Sequence, residues 1–211
     1  ADGSATLGAV DLLDAGFDGK LFVTADNNDD GIETLQVTDT IQNVNLATLS
    51  GGGTGTNDTI DIDADVTSTG GNITIRNADN FQIDASAART LTSAAALNMN
   101  TGVGSISLDG GSNLVTLTST GGAGDVNIGG DITTTNEASL TINGRDIQTA
   151  GVDLSNSATT GGAHTVNVDS GNAGSFDWKI NGDVEAGSVD VNGTSGNDTV
   201  DFTGSYTVTS R

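Results

Sequence analysis

The chain has 211 residues, including 31 glycines, no proline, no cysteine and only 3% aromatic residues. The absence of cysteine excludes a disulfide framework and a thiolate zinc site. A formal net charge of −22 repels phosphate backbones and anionic lipids, so nucleic acid is not expected as a partner. No apolar run is long enough to cross a membrane, so membrane insertion is not expected either.

The first fifty residues contain three strand-like segments with irregular spacing, at 21–23, 35–37 and 44–46. A run of three glycines at 51–53 then interrupts the pattern. We therefore predict an irregular N-terminal β segment, or atypical first coils, over residues 1–53. Solenoid repeats are predicted over residues 54–211.

From Ile60 onward, short apolar–polar–apolar triplets recur between clusters of glycine, asparagine, aspartate and serine. They form two interleaved series with a step of roughly 18–26 residues. The first series begins at 73, 97, 115, 140, 166 and 189, and the second at 60, 81, 106, 126, 152, 178 and 200. Such a period predicts an all-β, parallel β-solenoid whose stacked coils bury the apolar residues in continuous columns.

An alternative fold is a tandem pair of antiparallel β-sandwiches. The Asn-Gly pairs at 143–144, 181–182 and 192–193 are good turns for β-hairpins. The absence of proline favours the solenoid, because each proline would remove one hydrogen bond from the ladder between coils.

Three glycine-led segments, GNITI at 71–75, GSISL at 104–108 and GDVNI at 124–128, carry a family resemblance. Their residue pattern resembles that of the repeat region of large bacterial surface adhesins, of the filamentous-haemagglutinin-like and autotransporter-passenger type. The resemblance covers about residues 57–211. It implies a right-handed parallel β-helix, an extracellular or cell-surface location, and a structural or adhesive role in a surface fibre or surface layer.

The same resemblance suggests partners for the chain. We expect other copies of the chain, or neighbouring repeats of a longer polypeptide, to stack end to end with it. Surface glycans or a host cell surface are further candidates. Because the sequence begins at Ala1, we expect a processed product or a piece of a longer protein.

The segment GTSGNDTV at 193–200 is similar to the calcium-binding turns of type-I-secreted RTX proteins. In that family the Gly–Asn–Asp turn supplies ligands to Ca²⁺, which implies Asn197 and Asp198 as candidate ligands here. A looser copy of the turn lies at 55–60.

A second candidate calcium loop, DNNDDG, spans residues 26–31. Oxygens at alternate positions of such a loop can converge on one hard cation, so Asp26, Asn28 and Asp30 are candidate ligands. The closing glutamate of the usual calcium loop is replaced by Val37, so an acidic solvated turn is the alternative. Ca²⁺ is the only cofactor that the sequence suggests.

Asp61, Asp63 and Asp65 alternate with apolar residues, so they are expected on one side of a strand, where they form either a cation-binding row or a solvated edge.

The sequence contains no clear catalytic constellation, and we do not expect an enzyme. A polysaccharide-active β-helix enzyme, the alternative, would use basic and aromatic residues that are scarce here. The only histidine, His164, lies in a predicted turn.

Thr-x-Thr pairs, such as Thr116 with Thr118 and Thr133 with Thr135, occur in several predicted coils. An ice-binding solenoid needs such threonines at the same place in each coil. In the sequence their positions drift and are shared with asparagine, aspartate and serine, so an ice-binding face is not expected.

Overall fold

The computed structural model describes residues 4–12, 19–25, 33–51, 58–120, 125–134, 138–144, 146–149, 151–153, 165–169, 177–180, 184–186, 188–192, 199–202 and 206–208. Within these residues the chain forms 23 β-strands and no helix. The strands lie on three faces, which the chain visits in the same order in each coil.

Face 1 carries β1 (Ser4–Leu7), β4 (Thr34–Val37), β7 (Thr59–Ile62), β14 (Asp131–Thr134), β17 (Gly151–Asp153), β20 (Val184–Ala186) and β23 (Tyr206–Val208). Face 2 carries β2 (Val10–Asp11), β5 (Ile41–Val44), β8 (Val66–Ser68), β10 (Arg89–Ser93), β12 (Val115–Ser119), β15 (Leu140–Asn143), β18 (Thr165–Asp169) and β21 (Ser188–Asn192). Face 3 carries β3 (Lys20–Thr24), β6 (Leu46–Ser50), β13 (Val126–Ile128), β16 (Asp146–Thr149), β19 (Asp177–Ile180) and β22 (Thr199–Phe202).

Two long strands, β9 (Ile73–Asp84) and β11 (Leu97–Asp109), begin on face 3 and end on face 1. They join these two faces into one 15-stranded sheet, whereas face 2 is a separate eight-stranded sheet. Both long strands turn the corner at a residue in the left-handed region, Asn77 (φ 53°) in β9 and Gly102 (φ 63°) in β11. Asparagine and glycine tolerate this conformation better than other residues, which explains their use at the bend.

All described strand pairs are parallel, and inward residues are aligned from coil to coil, as in Leu91, which is aligned with Val66 on one side and Leu117 on the other. The register shifts within two pairs, β5 with β8 and β9 with β11. The predicted all-β parallel β-solenoid is thus confirmed. The antiparallel sandwich alternative is wrong, because it requires antiparallel pairs. Handedness remains an implication of the adhesin resemblance.

The two triplet series expected from sequence each combine strands of different faces. Ile73 and Leu97 are aligned with Val126 on face 3, whereas Val115 and Leu140 are aligned with each other on face 2. The step between aligned residues also varies more than expected. On face 1, Ile132 pairs with Val152, 20 residues further along the chain, and Val152 pairs with Val184, 32 residues further along. All three faces use the same triplet pattern, so spacing alone does not assign a strand to its face.

The N-terminal strands stack in the same columns as the later ones. On face 1, Ala5 is aligned with Leu35, and Leu35 with Ile60. On face 3, Ala47 lies between Leu21 and Ile73. The predicted boundary between residues 53 and 54 itself lies outside the described residues.

The core consists of the inward residues of the triplets, which alternate with outward polar residues along each strand. Fully buried examples are Leu35, Ile60, Phe81 and Ile106 on face 1, Ile41, Leu91, Leu117 and Ile142 on face 2, and Leu49, Ile75 and Met99 on face 3. Complete burial of one such side chain contributes about 1.5–3 kcal/mol, and the stacking repeats this contribution in every coil.

Face 2 has a column of buried serines at the ends of three neighbouring strands, Ser68 in β8, Ser93 in β10 and Ser119 in β12. The Ser93 hydroxyl lies 2.8 Å from the carbonyl oxygen of Ala96 and 3.0 Å from that of Gly71, and it accepts hydrogen bonds from the backbone N–H groups of Ile73 and Ala95. The Ser68 hydroxyl similarly contacts the carbonyl oxygens of Asn45 and Gly71. Each serine therefore satisfies backbone groups at the corner between faces 2 and 3.

Replacing Ser93 with alanine should lower the free energy of unfolding by about 1–3 kcal/mol, because buried backbone groups would lose their partner. Equilibrium denaturation monitored by circular dichroism measures this change. Thr92→Ala, on the same strand but on its outward side, is the matched control and should cost clearly less. Equal losses for the two variants would show that the serine column does not stabilise the corner.

Candidate functional surfaces

The predicted calcium ligands Asp26, Asn28, Asp30, Asn197 and Asp198 lie outside the described residues. So does His164. Among the residues that the structure does describe, no group of three or more histidine, aspartate or glutamate side chains is arranged to hold a metal ion. Calcium binding therefore remains a prediction from the sequence.

Four aspartates form an acidic row on the outer side of face 1, consisting of Asp61, Asp63, Asp84 and Asp109. Asp84 and Asp109 are directly aligned on β9 and β11. The Gln36 side chain, one coil earlier, donates a hydrogen bond of 2.9 Å from Nε2 to Asp63 Oδ2, and its Nε2 lies 3.5 Å from Asp61 Oδ2. Parallel pairing thus brings together carboxylates that are far apart in sequence.

Only two of the three alternating aspartates noted in the sequence belong to this row. Asp65 lies beyond the corner, at the start of face 2, where its Oδ1 accepts a hydrogen bond of 2.8 Å from the backbone N–H of Thr90. Its backbone carbonyl accepts another from the N–H of Ile41. The expected single row of Asp61, Asp63 and Asp65 is therefore wrong, because the chain turns after β7.

Several carboxylates of the acidic row are partly buried and repel one another. Burial, together with the charges of Asp63, Asp109 and Asp84, raises the pKa of Asp61 to about 6. Burial and the charges of Asp84 and Asp63 likewise raise the pKa of Asp109.

Asp84, at the end of the row, behaves differently. Burial acts to raise the pKa of Asp84, but hydrogen bonds from Ser86 and Arg89, together with the Arg89 charge, outweigh it and lower the pKa. Arg89 Nη2 lies 3.0 Å from Asp84 Oδ2. Arg89 therefore compensates one carboxylate of the row.

The raised pKa of Asp61 predicts a pH dependence of stability. The folded state holds the Asp61 proton up to about pH 6, whereas the unfolded chain loses it near pH 4. Stability should therefore fall as the pH rises through this window. Asp61→Asn removes the penalty, so we expect it to stabilise the chain by about 1 kcal/mol above pH 6, after allowance for solvent screening.

Urea denaturation at about pH 4 and about pH 8 measures the effect, with the difference between Asp61→Asn and the unaltered chain expected only at the higher pH. Asp131→Asn, at an exposed position of face 1, is the control and should change stability by less than about 0.5 kcal/mol at either pH. A gain of the same size at both pH values would contradict the assignment to Asp61 ionisation.

Face 2 carries a second regular outward surface. Its two rows of half-buried threonines, Thr67, Thr92 and Thr118 in one and Thr90, Thr116 and Thr141 in the other, are here named the threonine array. The array spans four neighbouring strands, β8, β10, β12 and β15. The expectation that threonine positions drift between coils is therefore wrong for these four strands. Beyond them both rows are shared with asparagine, as expected, because Thr118 is aligned with Asn143 and Thr141 with Asn167. Of the other pair noted in the sequence, Thr133 lies on face 1 and Thr135 is outside the described residues.

Buried carboxylates line the corner that leads into face 1. Glu33 and Asp58 are almost completely buried and stand one coil apart, each just before its strand. Asp58 Oδ1 accepts a hydrogen bond of 3.2 Å from the backbone N–H of Glu33, and Asp79 Oδ2 accepts one of 3.1 Å from that of Asp58. The Asp58 and Asp79 carboxylates thus tie successive coils together at the corner, a role that their sequence positions did not indicate.

The first coil is open on one side. Within the described residues, β1, β2 and β3 each pair with one strand only. The inward residues Leu7, Val10 and Val23 are only partly buried, whereas their partners in the next coil, including Val37 and Ile41, are fully buried. Among the described residues, this edge of the first coil therefore combines partly exposed apolar side chains with strands that have a described partner on one side only.

Among the described residues, no helix is long and apolar enough to span a membrane. No known protein family matches the chain, and no curated protein or solved structure shows significant similarity to it.

Proposed function

We propose that this chain is a non-catalytic structural and adhesive segment of an extracellular bacterial surface fibre or surface-layer protein. The observation that supports the proposal best is the edge of the first coil, where β1, β2 and β3 each have one partner strand among the described residues and the apolar columns are partly exposed. Such an edge pairs readily with another strand, because pairing satisfies its backbone groups and covers its apolar residues at the same time.

The register of the columns supports axial stacking of like coils. On face 2 a single column runs from Val10 in β2 through Ile142 to Val191 in β21. Val10 is only partly buried, and Val191, in the strand farthest from β2, is exposed at 39%. The two outer strands of face 2 therefore both present valines at equivalent register positions. A coil from another copy, or from the same longer polypeptide, would continue this column.

The net charge should disfavour side-by-side association of the same molecules. Because the formal net charge is −22, a side-by-side contact brings like charges together, whereas an end-to-end contact places backbone and apolar groups against one another. The proposal therefore predicts filaments or end-to-end oligomers.

An edge variant tests the assembly. Val23→Lys places a charge among the inward, partly buried residues of β3, while Thr24→Lys adds the same charge at the exposed neighbouring position. Sedimentation velocity and negative-stain electron microscopy should show end-to-end assembly for the unaltered chain and for Thr24→Lys, and its loss for Val23→Lys. Circular dichroism checks that both variants remain folded. Compact monomers of the unaltered chain at every concentration would overturn the proposal.

A calcium-dependent secreted module is the second candidate. It is favoured by the repulsion among carboxylates on face 1, which a divalent cation would reduce, and by the candidate ligands Asp26, Asn28, Asp30, Asn197 and Asp198. Under this candidate, calcium should raise the midpoint of thermal unfolding more than an equal concentration of magnesium, and a chelator should reverse the gain. The double variant Asp26→Asn, Asp30→Asn should reduce the calcium effect. Equal effects of the two cations would indicate general charge screening.

The non-catalytic assignment is supported by composition. A polysaccharide-active β-helix would be expected to hold acidic sugars with lysine and arginine, and the chain has only six of these residues. We expect no release of reducing ends when the chain is incubated with acidic and neutral polysaccharides. Release that is abolished by replacing one aspartate would overturn the assignment.

A further inference from the structure

The threonine array combines regular spacing in two directions. Threonines two residues apart on one strand are about 6.7 Å apart, and aligned threonines on neighbouring strands are about 4.8 Å apart. Thr90 and Thr92 on β10, and Thr116 and Thr118 on β12, form the complete centre of this arrangement. Thr67 and Thr141 extend the two rows by one strand in opposite directions. Both spacings are close to repeat distances between water oxygens on the faces of an ice crystal.

The side chains of the array are held in fixed positions. Threonine is stiff about its first side-chain torsion, and each member is half-buried between its neighbours in the sheet. The inward residues of the same strands, Leu91, Leu117 and Ile142, are fully buried, which anchors the sheet from behind. Each threonine offers a methyl group that restricts adjacent water and a hydroxyl group that donates and accepts hydrogen bonds. A fixed array of this kind can order a layer of water at low entropic cost.

Charge distinguishes the array from the outer surface of face 1. Face 1 carries the acidic row, whereas the six positions of the array are all uncharged. None of these six positions holds an aromatic residue. A flat crystalline polysaccharide is bound favourably by planar aromatic side chains, which the array lacks. The surface therefore suits a lattice of water better than a sugar lattice or an ionic ligand.

We infer that the threonine array of face 2 is an ice-binding surface, which engages ice through water molecules ordered by its methyl and hydroxyl groups. The inference does not depend on end-to-end assembly, because the array lies on the outer side of a sheet and away from the open coil edge. It assigns the chain an inorganic crystalline ligand in addition to its structural role.

Two tyrosine variants test the inference. Thr116→Tyr places a bulky side chain at the centre of the array, on a strand position that readily accepts tyrosine. Thr74→Tyr makes the same substitution at a half-buried outward threonine of face 3 and is the matched control. The unaltered chain and Thr74→Tyr should partition into slowly growing ice and inhibit ice recrystallisation, and Thr116→Tyr should lose both activities while keeping its thermal unfolding midpoint.

Exclusion of the unaltered chain from growing ice would overturn the inference, and so would equal ice activity of the two variants. Pull-down with insoluble cellulose and chitin is measured in parallel. Retention on these solids that Thr116→Tyr abolishes, without any ice activity, would assign the array to a crystalline polysaccharide instead and also overturn the inference. The end-to-end assembly of the chain is measured separately with the Val23→Lys variant, so failure of one proposal leaves the other testable.

Discussion

Replacing Ile142 with aspartate should destabilise the solenoid by about 4 kcal/mol or more. The Ile142 side chain is fully buried on face 2 and is aligned with Leu117 in the preceding coil and Val168 in the following one. A carboxylate at this position would lie in an apolar column without a cationic partner, so it would be neutralised at a large cost or would force the coils apart.

Thermal and urea denaturation measure the loss, and Thr141→Asp is the matched control. Thr141 precedes Ile142 on β15 and faces outward, so the same carboxylate there remains partly hydrated and should cost less than about 1 kcal/mol. If Ile142→Asp unfolded at the same temperature as Thr141→Asp, the inward register of face 2 described here would be wrong.

The fold could be predicted from the sequence because its physical cause is local and repeated. In segments such as Val115–Ser119, inward and outward residues alternate strictly, and every coil needs the same alternation to bury its apolar pair. The absence of proline and the abundance of glycine point the same way. None of these features depends on knowing which coil lies next to which.

The assignment of strands to faces could not be predicted, because it depends on the length of each corner. A residue such as Asn77 turns the chain from face 3 to face 1 within one continuous strand, whereas other corners use longer connections. Triplets on different faces therefore fall at similar spacings, so the spacing groups Val126 with Ile106 although Val126 is aligned with Leu97.

The candidate surfaces were even harder to predict, because their residues are brought together only by the register between paired strands. Asp61 and Asp63 are neighbours in sequence, but Asp84 and Asp109 join them only through the pairing of β7, β9 and β11. The buried serine column did leave a sequence signal, since Ser68, Ser93 and Ser119 each follow an apolar residue and a threonine. The same recurrence, Thr-Ser after a buried residue, marks one row of the threonine array.

The largest fully buried side chain among the described residues gives the second strong prediction. Phe81 is fully buried on face 1, where it is aligned with Ile60 and Ile106, and it is one of only five phenylalanines in the chain. Phe81→Ala should lower the free energy of unfolding by about 3–5 kcal/mol, because the coils on both sides are held apart by strands that cannot close the cavity. Guanidinium denaturation measures this loss.

Phe22→Ala is the matched control for the same substitution. The Phe22 side chain is 66% exposed on the outer side of β3, so its removal should change stability by no more than about 0.5 kcal/mol. The contrast between the two variants separates stacking in the core from the general contribution of an aromatic residue to a strand. Equal losses in the free energy of unfolding would mean that the column through Ile60, Phe81 and Ile106 is not the packed interior of the solenoid. A large loss for Phe81→Ala alone is the expected result, because both neighbouring coils bury Phe81.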